Sequence, residues 1–159
     1  MSGPPILSLF LPDAAATNRL GGLLAAVLAP GDTVLMSGDI GTGKTHLARA
    51  LIQHRLGRAE EVPSPSFTLV QTYNADGVEI WHADLYRLSH PDEVLELGLD
   101  SAFDTAICLV EWPDRLSDIA PADALHICLR VEADGRRVEI CGGRDGLLQT
   151  LTQAWTNDV

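Results

Sequence analysis

The octet Gly38-Asp39-Ile40-Gly41-Thr42-Gly43-Lys44-Thr45 satisfies G-x-x-x-x-G-K-T, the pattern of a phosphate-binding loop, and constrains this chain more than any other stretch. Gly38, Gly41 and Gly43 open backbone torsions closed to other residues, so that successive N–H groups can turn inward around an anion. Lys44 supplies positive charge to the β and γ phosphates of a nucleoside triphosphate, and Thr45 offers a hydroxyl to Mg²⁺. The motif needs a strand before it and a helix after it. Asp32 to Met36 is a short apolar run ending at the loop. His46 to Ile52 keeps helical apolar spacing, within a helix expected from about Lys44 to Gly57. The positive end of that helix's dipole points at the same anion. A nucleoside triphosphate is the expected ligand.

A length of 159 residues suits one domain, 1–159, with a real core and no room for a separate substrate domain. Acidic residues number 22 against 11 basic ones, a net charge of −11. That balance argues against unaided binding to nucleic acid or to an anionic membrane, so a partner should hold any RNA involved. Cys108, Cys128 and Cys141 show no C-x-x-C pairing and read as buried, reduced thiols. The histidines at 46, 54, 82, 90 and 126 are scattered without metal-ligand spacing and read as structural, except His82, which belongs to the block running to Arg87. No stretch approaches the roughly 18 apolar residues of a membrane span, and no positive charge precedes the N-terminal apolar run. A cytoplasmic location is the expectation.

Ile6 to Leu11 reads as a strand, and Asp13 as the N-cap of a helix running to about Ala29, stopped by Pro30-Gly31. Pro63 and Pro65 hold Glu60 to Ser66 extended, as a loop near the phosphates. Phe67 to Tyr73 and Val78 to His82 alternate around Asn74-Ala75-Asp76-Gly77 as a hairpin, an antiparallel addition to the nucleotide fold. Pro91 to Leu97 is a short helix that Gly98 ends. Ala106 to Val110 is a continuous apolar run of the buried parallel-strand type, leading into Glu111-Trp112-Pro113. Leu125 to Val131 and Val138 to Cys141 flank Ala133-Asp134-Gly135-Arg136 as a second hairpin. An amphipathic helix from about Leu147 to Trp155 follows. The expected fold class is α/β and P-loop NTPase-like: a mostly parallel sheet with antiparallel hairpin additions and helices on both faces.

Magnesium and an attacking water require carboxylates near Thr45, and Asp84 and Glu111 stand out. P-loop enzymes place a magnesium contact on an acid at the end of a buried strand. Either acid could hold Mg²⁺ directly or through water while the other positions or deprotonates the water. The plain structural alternatives are an ion pair with Arg87 or a turn cap for Asp84, and a strand leaving the core for Glu111. Arg136, in the second hairpin turn, either approaches the base or ribose or is a solvated hairpin arginine. Arg49, Arg55 and Arg58 form either a solvated face or a docking patch.

Taken together, the loop, Ser64-Pro65-Ser66-Phe67, His82-Ala83-Asp84-Leu85-Tyr86-Arg87 and Glu111-Trp112-Pro113, with Pro12-Asp13 and Thr17 ahead of them, carry a resemblance over nearly the whole chain. The chain resembles the TsaE family, small bacterial ATPases of tRNA threonylcarbamoyladenosine biosynthesis. The resemblance implies ATP hydrolysis only in assembly with two partner proteins, the paired subunits that transfer threonylcarbamoyl to adenosine, with tRNA reached through them. It implies that Gly38, Asp39, Gly41, Thr42, Gly43, Lys44 and Thr45 hold phosphate and Mg²⁺. It also implies that Glu111 is a magnesium contact, that Asp84 is a second acid near the metal, and that Asp13, Thr17 and Trp112 lie at the nucleotide. Ser64 to Phe67 would be a switch-like segment. The family usually has Thr where this chain has Ser66, which keeps the hydroxyl, and Ala where it has Thr42, whose added hydroxyl is tolerated if it faces outward.

The leading expectation is an ATPase subunit whose hydrolysis drives a change in a protein complex. A small-molecule phosphotransferase would need an Arg-rich lid, which nothing here resembles. A regulatory GTPase would need a guanine-reading Asn-Lys-x-Asp block, and none follows the loop. A nucleotide-gated binding module with little hydrolysis would use the same loop and metal site.

Overall fold

The computed structural model describes residues 6–58, 60–65, 68–90 and 92–157. Seven strands form one sheet: β1 (Ile6–Leu11), β2 (Thr33–Ser37), β3 (Val70–Ala75), β4 (Val78–Asp84), β5 (Ile107–Glu111), β6 (Leu125–Glu132) and β7 (Gly135–Gly142). Their spatial order is β1-β7-β6-β2-β5-β4-β3. The central strands β6, β2, β5 and β4 run parallel, while β7 with β1 at one edge and β3 at the other pair antiparallel. The expected α/β architecture is present. One strand moves inward from its expected place: β4, read as half of an added hairpin, is the parallel neighbour of β5. Its buried end, His82 to Asp84, suits an interior strand.

The helices are α1 (Ala14–Val27), α2 (Lys44–Leu56), α3 (Asp92–Leu97), α4 (Leu99–Thr105) and α5 (Leu147–Asn157). Asp13 caps α1, its carboxylate accepting from the Ala16 N–H at 3.0 Å. Gly57 ends α2 in the left-handed region at φ 73°, its N–H bonded to the Gln53 carbonyl. Two elements were not legible in the sequence: α4, and a 3₁₀ helix over Pro113–Ile119. Gly98, at φ 82°, both ends α3 and opens α4.

The sheet separates two buried clusters. Val34, Met36, Ile107 and Leu109 face Leu20 and Leu24 of α1, Leu47 and Leu51 of α2, and Leu147 and Leu151 of α5. Leu35, Cys108 and Val110, the alternating positions, face Val94 of α3, Leu99 and Phe103 of α4, and Leu116. Helices therefore cover both faces of the central strands. Each such leucine contributes about 2 kcal/mol through burial.

Towards the β1 edge only the first face is covered: Leu125, Ile127 and Leu129 are buried, and the intervening His126, Cys128 and Arg130 are exposed. This corrects the expectation of three buried thiols. Cys108 is buried, Cys141 half-buried and Cys128 exposed, and all are free.

The C-terminal helix docks on its own chain, with the Arg19 guanidinium 3.8 Å from the centre of the Trp155 ring and donating to the Trp155 carbonyl at 2.7 Å. The arginines of α2, and Arg58 just after it, bond within the chain. Arg55 reaches the Ala25 and Leu28 carbonyls behind α1, Arg49 reaches the Val62 carbonyl, and Arg58 pairs with Glu60. Asp32 accepts from the Ala29 N–H at 2.8 Å and from Arg144 at 2.9 Å, fixing the chain as it enters β2. Among the described residues no helix is long and apolar enough to cross a membrane.

Candidate nucleotide site

Parallel pairing aligns the ends of three strands. Met36 of β2 lies opposite Glu111 of β5, and Glu111 lies opposite Asp84 of β4, so the loop and both acids share the C-terminal edge of the sheet. The loop leaves β2 through Gly38 at φ 144°, where a β-carbon would stand 2.4 Å from the Leu129 carbonyl oxygen, so only glycine fits. Gly43, at φ 101°, turns the chain into α2.

Thr42, expected to be tolerated if its hydroxyl faced outward, is buried with that hydroxyl turned inward, donating to the Asp39 carbonyl at 2.8 Å. The inward hydroxyl thus closes the loop on itself. Arg136 lies across the loop from the start of β7, donating from Nε to the Thr42 carbonyl and from Nη2 to the Gly41 carbonyl, each at 3.1 Å.

Lys44 is 5% exposed and donates from Nζ to the Gly38 and Asp39 carbonyls. Burial pushes its ammonium below the ordinary lysine value, against the upward pull of Glu111, Asp84 and Asp39. Its Nζ also stands 4.1 Å from the centre of the Trp112 ring. Trp112 adopts left-handed torsions, φ 59°, immediately after β5, and its ring lies 4.9 Å from that of Tyr86. The turn after β5 thereby brings an aromatic pair over the loop.

Thr45 Oγ1 lies 2.9 Å and 3.1 Å from the two carboxylate oxygens of Glu111, to which it donates. Glu111 is 2% exposed and also accepts from His82 Nε2 at 2.7 Å. Asp84 is buried, and its Oδ1 accepts from the Tyr86 N–H at 3.0 Å, the turn cap weighed from the sequence. A cavity of about 420 Å³ opens between Lys44, Thr45, Asp84, Tyr86, Glu111 and Trp112. On the other side of Gly43 a second cavity, about 230 Å³, is lined by Asp13, Thr17, His46 and Arg136 among others.

The structure therefore gathers Gly41, Gly43, Lys44, Thr45, Asp84, Glu111 and Trp112 at one cavity and Asp13, Thr17 and Arg136 at its neighbour, while Gly38, Asp39 and Thr42 shape the loop without lining either. Ser66 lies outside the described residues. Sequence reasoning gave Tyr86 no role and set His82 apart from the other histidines only because it falls in the block that carries Asp84. A histidine two residues before the acid, on the same face of a strand, was the available signal. His46, set aside with the scattered histidines, lines both cavities and bonds Asn18 at 3.0 Å.

One hydroxyl and two carboxylates form an oxygen-only donor set, which suits a hard cation such as Mg²⁺. Among the described residues no group of three or more His, Cys, Asp or Glu could hold a metal unaided. Mg²⁺ fits that restriction, because it is held by one or two carboxylates together with substrate phosphates and water.

Comparisons with known proteins agree with one another. A family model described as "Threonylcarbamoyl adenosine biosynthesis protein TsaE" matches residues 11–138. A tRNA threonylcarbamoyladenosine biosynthesis protein TsaE from Rickettsia felis is 37% identical over 130 residues, covering 82% of this chain and 76% of that one. The protein of the same name from Haemophilus influenzae is 34% identical over 157 residues, covering 95% and 98%. The crystal structure of Bacillus subtilis YdiB has a TM-score of 0.81 at 26% identity, with both chains wholly covered.

Proposed function

The chain belongs to the TsaE family of tRNA threonylcarbamoyladenosine biosynthesis proteins, and on that premise we propose that it binds and hydrolyses ATP as a subunit acting with the two threonylcarbamoyl-transfer proteins. The observation that carries this reading is the Thr45 hydroxyl donated to the buried Glu111 carboxylate at the mouth of the loop. A glycine-rich loop serves many purposes, but a loop hydroxyl joined to a strand-end acid is an arrangement for a phosphate-bound cation.

The loop N–H groups and the α2 N-terminus receive the triphosphate, and Lys44 gives up the Gly38 and Asp39 carbonyls to reach it. Thr45 and Glu111 would hold Mg²⁺, which supplies charge neutralisation on the phosphoryl oxygens as the leaving bond breaks. Asp84, at the same edge of the sheet, is assigned to orient the attacking water. Asp13, Thr17 and Arg136 line the space on the far side of Gly43, which we assign to the nucleoside end of ATP.

Slow turnover of the chain alone, with a contact from the transferase proteins completing the site, belongs to this proposal. The net charge of −11 supports contact with tRNA through those partners.

The test is ATP hydrolysis by the purified chain, alone and with the two transferase proteins of its source. Stimulation by the pair supports the reading, and unchanged hydrolysis with intact ATP binding counts for a nucleotide-gated binding module.

A further inference from the structure

His82 belongs to β4, opposite Leu109 of β5, and is wholly buried. Its Nε2 lies 2.7 Å from Glu111 Oε2, while its Nδ1 is buried with no hydrogen-bond partner among the described residues. A carboxylate only accepts, so Nε2 must carry the proton and donate it. An unpaired Nδ1 lone pair is the cheaper atom to bury, since a second N–H would be left without an acceptor.

Glu111 thus has two donors of different standing. Thr45, in the first turn of α2, is half-buried at the cavity, whereas His82 is wholly buried on a strand beside the acid. A glutamate side chain has several rotamers, and a short hydrogen bond from a rigid partner removes that freedom before any ligand arrives.

We propose that His82 is a positioning residue: it fixes the Glu111 carboxylate where the Thr45 hydroxyl and Mg²⁺–ATP meet it, although the imidazole touches neither. The inference rests on the reading of Thr45 and Glu111 as the magnesium contacts. Groups that orient a metal-binding carboxylate from behind are worth about 10- to 100-fold in metal affinity. A histidine that merely filled the core would affect folding without separating metal-dependent from metal-independent binding.

The experiment titrates a fluorescent ATP analogue into the wild-type chain and into His82→Ala, His82→Gln and His82→Asn, each with EDTA and with Mg²⁺, alongside thermal melting. Glutamine carries its amide nitrogen to the place of ring Nε2, and asparagine carries it only to that of Nδ1. The expected result is equal binding in EDTA for all four chains, with the Mg²⁺-dependent gain reduced about 10- to 100-fold in the Ala and Asn variants and kept within about threefold in Gln. A wild-type Mg²⁺ gain retained in His82→Ala overturns the role of His82 and leaves the metal site standing. Absence of any Mg²⁺ gain in the wild type overturns the metal site and this inference with it. Should His82→Ala not fold, the Gln and Asn variants decide, and equal Mg²⁺ dependence in those two overturns the proposal.

Discussion

Lys44 Nζ stands 4.1 Å from the centre of the Trp112 ring, so the loop lysine and the residue after the strand-end acid are in contact. On the proposed reading, a bound triphosphate would draw that ammonium from the ring and from the Gly38 and Asp39 carbonyls toward phosphate. Tryptophan emission is expected to change on ATP addition, and Trp112→Phe to abolish the change while Trp81 and Trp155 remain.

The same lysine sets a pH dependence. Its ammonium is depressed below 10.5, chiefly by burial, in the nucleotide-free chain, and a bound triphosphate favours the charged form. Binding therefore takes up a proton in the window below 10.5, and ATP affinity falls as pH rises through it. In the same window the unfolded chain holds more protons at this site than the folded one. Lys44 thus makes nucleotide-free stability rise with pH, the opposite sign. Calorimetric titration and melting across that range, compared with Lys44→Met, check both slopes, and the variant loses about 100-fold in affinity.

Glu111→Gln keeps the shape of the acid and removes its charge. Partner-stimulated hydrolysis is expected to fall about 100-fold or more, with ATP binding in EDTA nearly unchanged. A hydrolysis rate within a few-fold of wild type would remove Glu111 from the assigned site.

Arg136 holds two loop carbonyls from another hairpin through charge-assisted hydrogen bonds. Arg136→Ala is expected to raise amide hydrogen exchange across Gly41 to Gly43 and to weaken ATP binding about tenfold. Exchange unchanged in the variant would show that the loop closes without this arm.

The thiols differ in access. Cys128 is exposed, Cys141 half-buried and Cys108 buried, with burial pushing the Cys108 thiol up to about 12. An alkylating reagent followed by mass spectrometry is expected to modify Cys128 first, then Cys141. Cys108 should react only after unfolding.

Much of this was legible because local chemistry dictates it. Asp13 caps α1, Gly57 ends α2, and β1 and α5 begin where the apolar patterns begin. What escaped depended on tertiary placement. The parallel partnership of β4 with β5 leaves no mark in β4 beyond its buried end. Short α4 has too few turns to declare a period, and Gly98 signals an end as readily as a beginning. The exposure of Cys128 follows from helices covering only one side of β6. At the site, the motif announced Lys44 and Thr45. The inward turn of the Thr42 hydroxyl has no local signature, and the His82 bond to Glu111 shows in the sequence only as a histidine two residues before Asp84.

The register that sets Met36 against Glu111 joins residues far apart in the chain, on strands linked by a long crossover. Thr45 and Glu111 cannot meet until β2 and β5 have paired, so the unfolded chain offers ATP no comparable site. On the proposed reading nucleotide would act as a folding ligand: at a hundred times its dissociation constant it would add about 2.7 kcal/mol to the folded state. Protection from proteolysis would then keep growing with ATP after the site is nearly full, so that partial depletion of ATP would shorten the lifetime of this chain before occupancy, and with it catalysis, fell noticeably.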